Sequence, residues 1–174
     1  MENNNFELKI IDLHWLDNFD DENDLCAHGY VFLKIGDEIV CDQNSLDVTV
    51  SATGLYLLRS LSENYKKGDY DSQILPCCGF FTYFDNNLRP AICGCPVGID
   101  WTITHINDDL IKHTSENGNS AIISKDYYQK IVFEFVDKIE EFYNSSLPKI
   151  LPNDELEIES YEEIWKEWYK LRNR

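Results

Sequence analysis

The chain has 174 residues, and 15 Lys and Arg against 32 Asp and Glu leave a formal net charge of −17. A field of that sign repels phosphate backbones and anionic lipid, which argues against direct contact with nucleic acid or a membrane surface, and it draws basic proteins in at raised rates. At this length one domain is expected over 1–174, with 4 Trp, 10 Tyr and 9 Phe to fill its core.

The opening segment MENNNFELKIIDLHW has no basic n-region, apolar h-region or small-residue cleavage site, and no apolar run approaches the ~20 residues of a membrane span. A cytoplasmic location is therefore expected, where the cysteines at 26, 41, 77, 78, 93 and 95 stay reduced. Phe6, Leu8 and Ile10 alternate with Glu7 and Lys9, the period of a half-buried strand. The acidic run 17–24 reads as an exposed loop, because it cannot pack without leaving carboxylates unpaired. Gly36-Asp37 between Tyr30–Ile35 and Glu38–Cys41 predicts a hairpin, since glycine supplies the positive φ of a primed turn. Residues 46–50 alternate again as a strand, and Leu55, Leu58, Leu61 and Tyr65 then recur at helical spacing.

From about 73 to 123 short apolar runs alternate with Asn, Gly and Pro, and the connections are too short for parallel crossovers, so an antiparallel meander is expected. Ser124 is placed to cap a long helix whose stripe is Tyr128, Ile131, Val132, Phe135, Ile139 and Phe142. Asp126 with Lys130 and Glu134 with Lys138 stand four apart with the acid first, the favourable order. Pro148 and Pro152 mark a connection over 148–159. Ser160 and Glu163 match a capping box for a last helix with Ile164, Trp165, Trp168 and Leu171 inward. The fold class that results is α+β, an antiparallel β-meander sheet packed against two or three helices.

The stretch AICGCPVGIDWTITHI, residues 91–106, is the densest in chemically capable side chains. Zinc is usually held by cysteine pairs two to four residues apart, whereas Cys93 and Cys95 are separated by one residue and Cys77 and Cys78 are adjacent. On a strand Cys93 and Cys95 would share a face while Cys77 and Cys78 would diverge, so at most three of the four could meet, with His105 or His113 completing the set. A cysteine nucleophile with His105 as base and Asp100 as its orienter is the catalytic variant of the same idea. The simpler expectation is that the cysteines pack in the core, that Gly94, Pro96 and Gly98 form a tight corner, and that there is no metal, cofactor or catalysis. The DDEND run fails as a calcium loop, because with Asp20 first, Leu25 and Val31 occupy the required Gly and Glu positions.

The acids concentrate toward the chain ends. Asp17, Asp20, Asp21, Glu22 and Asp24 form one cluster and Asp154, Glu155, Glu157 and Glu159 head another, both candidates for contact with a basic protein. In size, acidity, α+β organisation and the run Gly98-Ile99-Asp100-Trp101 to His105, the chain resembles the immunity proteins that bacteria make against their own polymorphic or contact-dependent toxins. That resemblance implies a non-enzymatic inhibitor of a basic cognate toxin, for example a nuclease. The competing expectation is a zinc-binding or cysteine-dependent enzyme centred on Cys77, Cys78, Cys93, Cys95 and His105.

Overall fold

A computed structural model describes residues 5–79 and 81–173. Strands β1 (Phe6–His14) and β2 (His28–Ile35) pair antiparallel, Phe6 opposite Ile35 and His14 opposite His28. Phe6, Leu8 and Ile10 are buried as their alternation requires, but the register shifts between Ile10 and Asp12 and leaves Ile11 exposed. A bulge of this kind inserts one residue and resets which side chains face inward, so β1 continues to His14 although the alternation in the sequence stops at Ile10. Gly36, at φ +62°, makes the expected turn into β3 (Glu38–Cys41). Because β1 occupies one whole edge of β2, β3 and the short β4 (Val48–Thr49) share the other.

The strand expected over 46–50 shrinks to β4 because helix α1 (Val50–Ser60) starts at once, and all eleven of its residues are buried. A helix apolar or small on every side is a core helix. Leu61 and Tyr65 lie beyond its end; Tyr65 exchanges both backbone hydrogen bonds with Ile103 at 2.8 Å. Gly54 faces helix α3 (Glu155–Arg172), where a Cβ would stand 2.2 Å from the Trp168 ring.

Four short strands follow α1. β5 (Leu75–Pro76) pairs with β8 (Gly98–Ile99), and β6 (Phe81–Phe84) forms a hairpin with β7 (Pro90–Cys93). The three-stranded meander of β9 (Trp101–His105), β10 (Leu110–Ser115) and β11 (Ser120–Ser124) leads into α2 (Lys125–Asn144). Among the described residues every pairing is antiparallel, and with three helices this is an α+β fold, its strands divided among four sheets. The Ser124 hydroxyl caps α2 by accepting from the Tyr127 amide at 3.2 Å. Along α2, Lys130 approaches Glu134 at 3.9 Å instead of Asp126.

Helix α3 begins earlier than its capping-box motif suggests. The Asp154 carboxylate accepts from the Leu156 and Glu157 amides at 3.0 and 3.1 Å, so Asp154 is the cap and Ser160 falls inside the helix, buried, donating to Thr82 Oγ1 at 2.7 Å. α2 packs on α1, β1, β10 and β11, while α3 covers β6, β7 and α1. One hydrophobic cluster runs from Phe6 to Leu171. Among the described residues no helix is long and apolar enough to cross a membrane.

Candidate functional site

The first acidic cluster lies on the loop between β1 and β2, and its carboxylates divide into two sets. Asp24 accepts from the Leu16 amide at 2.9 Å and the Cys26 amide at 3.2 Å, and Asp21 accepts from the Asn23 amide at 2.8 Å. Asp20 accepts from Lys149 Nζ at 2.7 Å and from the Leu147 amide at 2.8 Å, contacts that hold its carboxyl below the usual range. These three acids order the loop. Asp17 and Glu22 are exposed, and their carboxylates have no partner among the described residues.

The same loop is bolted to the segment between α2 and α3. Besides its bond to Asp20, Lys149 Nζ donates to the Asp21 carbonyl at 2.8 Å and stands 3.4 Å over the Trp15 ring. Trp15 Nε1 donates to Ser146 Oγ at 2.9 Å, and the Ile150 amide donates to the Glu22 carbonyl at 2.7 Å. The second acidic cluster starts close by, since the four residues from Ile150 to Asp154 span at most roughly 14 Å of chain. Asp154 is spent on the α3 cap, Glu155 and Glu159 are exposed, and Glu157 is half-exposed.

Apolar side chains stand among these acids. Leu16 is 61% exposed, Phe19 68% and Leu156 68%, and Leu147 and Ile150 are also exposed. Beside Leu147 a groove of about 340 Å³ opens between α2 and α3, lined chiefly by Tyr143, Leu147, Pro148, Tyr161, Trp165 and Tyr169. Tyr143 meets Trp165 edge-on at 5.0 Å, and Trp165 lies 6.0 Å from Tyr169. The acidic runs in the sequence pointed to this surface. The apolar members were missed because isolated Leu, Phe and Ile in a charged segment carry no periodic signal.

Around the cysteines, the sulfurs of Cys77, Cys78 and Cys95 lie within 4.8 Å of one another, and Cys77 and Cys95 are 3.6 Å apart. The β5–β8 pairing and the Cys77 amide bond to the Val97 carbonyl at 3.1 Å bring the two loops face to face. Glycine permits the closest approach: a Cβ on Gly79 would lie 2.7 Å from the Cys93 carbonyl oxygen, and one on Gly94 2.9 Å from that of Cys78. A hydrogen bond from Cys78 is the largest influence holding the Cys95 thiol below its ordinary value, while desolvation and its neighbours push Cys77 up to about 12.

This arrangement corrects three expectations. Among the six cysteines only Cys41 is fully buried, and Cys78 and Cys93 are exposed, so core packing does not describe the group. Cys93 stands apart from the cluster. His105 is also elsewhere, its Nε2 2.9 Å from the Ser60 carbonyl oxygen, and Asp100 does not orient it. Asp100 is instead buried, accepting from the Tyr65 hydroxyl at 2.8 Å and the Ile74 amide at 3.3 Å, and burial raises its pKa. Cys26 lies 3.4 Å from His28 Nε2, the spacing of a nucleophile and its base. Burial, and then the Asp24 charge, push the Cys26 thiol up to about 12, the opposite of what a nucleophile needs.

Two further features had no sequence signal. Arg59, 3% exposed, donates to both oxygens of Glu167 and to the Pro90 carbonyl, and Arg89 bridges Glu167 to Glu63. His113 is fully enclosed, stacked 3.9 Å from Phe6. Compared with known proteins, the chain matches no family model, no curated protein and no solved structure.

Proposed function

We propose that this chain is a non-enzymatic binding protein whose acidic surface engages a basic protein, in the manner of the toxin-neutralising immunity proteins it resembles in size, charge and organisation. The observation that carries this reading is the junction of the β1–β2 loop with the segment before α3. It puts Asp17 and Glu22, exposed and with no carboxylate partner among the described residues, on the same loop as exposed Leu16 and Phe19, ties exposed Leu147 and Ile150 to that loop, and is followed on α3 by exposed Glu155 and Glu159. Protein interfaces concentrate their affinity in a few apolar or aromatic anchors surrounded by polar groups, and charge of one sign speeds encounter with a partner of the other. The aromatic groove beside Leu147 supplies further anchor sites. Asp20, Asp21, Asp24 and Asp154 act in this reading as the frame that presents the surface.

The test is the kinetics of complex formation with a basic protein encoded beside this gene. Reversing Asp17 and Glu22 to Lys leaves the Lys149 contacts in place and should lower the association rate about tenfold at low salt, with less effect as salt rises. Phe19→Ala should chiefly speed dissociation. A complex whose rates ignore both changes would remove this surface from the function.

A further inference from the structure

We propose that Cys77, Cys78 and Cys95 form a binding site for a thiophilic divalent cation, Zn²⁺, with its fourth position open to solvent. The sulfur geometry supports this site independently of any protein partner. Thiolates arranged tetrahedrally around zinc at Zn–S distances of about 2.3 Å stand about 3.8 Å from one another. The Cys77 and Cys95 sulfurs are 3.6 Å apart, and all three sulfurs fall within 4.8 Å. A disulfide would need a separation of about 2.05 Å, would engage only two of the three, and would leave Cys78 unexplained.

The site is preorganised by backbone. Cys77 and Cys78 follow β5, Cys95 precedes β8, and the pairing of those strands fixes the distance between the two loops. Gly79, at φ +100°, and Gly94 allow main chain to press against main chain where any side chain would collide with a carbonyl oxygen. That crossing turns adjacent and alternate cysteines, whose spacing lacks the two-to-four-residue zinc pattern, into a convergent set. Cys78 is exposed while Cys77 and Cys95 are half-buried, so a bound ion has a solvent-facing side. Cys93 belongs to the same sequence run but not to the cluster, which makes it the internal control.

The experiment is titration of the full chain, reduced and stripped with chelator, with Co²⁺ followed by displacement with Zn²⁺. Expected are a sulfur-to-cobalt charge-transfer band and tetrahedral ligand-field bands that saturate at one metal per chain. Cys77→Ser, Cys78→Ser and Cys95→Ser should each weaken binding at least about tenfold, and Cys93→Ser should not. In the unmodified chain, which removes any question of variant folding, Zn²⁺ should protect Cys77, Cys78 and Cys95 from iodoacetamide while Cys93 is alkylated as before. The inference is overturned by absence of the thiolate band, by equal loss in Cys93→Ser, by unprotected Cys77 and Cys95, or by a Cys77–Cys95 disulfide forming in place of metal binding.

Discussion

His113 offers a stability test in which magnitude and sign both come from the structure. Its ring is fully buried on β10, stacked 3.9 Å from Phe6 and edge-on to Tyr128 at 4.6 Å. Nδ1 accepts from Trp101 Nε1 at 3.2 Å, so Nδ1 must be unprotonated, and Nε2 has no partner among the described residues. Burial, reinforced by the His105 charge, drives its pKa down to about 3. Below the unfolded value of about 6.5 the unfolded chain takes up a proton that the folded chain refuses. The neutral ring's contribution is therefore complete above about pH 6.5 and is lost as pH falls toward the folded pKa. The slope is about 1.4 kcal/mol per pH unit, or about 2 kcal/mol by about pH 5. His113→Phe keeps a ring in the slot and strands the Trp101 N–H, at about 1–3 kcal/mol, but it also removes the unpartnered Nε2–H, a gain of the same order, so the two offset at neutral pH. Urea unfolding followed by tryptophan fluorescence should show the unmodified chain losing about 2 kcal/mol relative to the variant between about pH 7 and pH 5. Burial opposes the protonation of His14, but hydrogen bonds to Asp12 and Asp47 outweigh it and raise its pKa. His14 thus stabilises below its unfolded pKa and loses that effect as pH rises through the folded value; being common to both proteins, it cancels in the difference. Parallel stability–pH curves for the two proteins would refute the assignment of the slope to His113.

Two substitutions test how α3 is held. Gly54→Ala places a methyl group 2.2 Å from the Trp168 ring, so α3 must shift or α1 must bend; a loss of about 3 kcal/mol is expected, and an unchanged thermal midpoint would show the contact to be slack. Glu167→Ala removes both carboxylate acceptors of Arg59, which keeps the Pro90 carbonyl, and should cost about 3–5 kcal/mol, read as a Tm lower by about 10 °C.

The sequence patterns that survived in the fold are those set by a single local cause. The Gly36-Asp37 hairpin follows from one residue's φ, and α2 follows from its Ser124 cap and the stripe from Tyr128 to Ile139. Elsewhere a tertiary contact overrode the local pattern. Ser160 and Glu163 have capping-box spacing, but Asp154 reaches two amides first, and Ser160 is needed against Thr82. In α1 the apolar spacing beyond Ser60 is taken over by the bridge between Tyr65 and Ile103. At the candidate surface the acidic runs were legible, but Lys149, which reaches across the fold to Asp20, was not, because a lone lysine gives no hint of which carboxylate it will meet. The cysteine cluster was not legible: strand geometry would unite Cys93 with Cys95 and part Cys77 from Cys78, but Cys77, Cys78 and Cys95 lie outside the strands, and the crossing at Gly79 and Gly94 brings the adjacent pair to Cys95 and leaves Cys93 out.

The surplus of acid has two physical origins, and salt separates them. The β1–β2 loop is anchored in the core by Trp15 and Ala27, and between them the fold orders it with carboxylate hydrogen bonds to its own amides and to the segment before α3. Such contacts at 2.7–3.2 Å are shorter than the Debye length of about 8 Å at physiological ionic strength, so salt hardly weakens them. Among the described residues Asp17, Glu22, Glu155 and Glu159 have no such contacts, so in the proposed complex they would act on a basic partner only at longer range, where the same ions screen them. If these acids steer a partner as proposed, added salt should remove that steering while leaving the loop that carries them in place. In the proposed complex, the affinity that persists at high salt should be the share held by Phe19, Leu147, Ile150 and the aromatic groove.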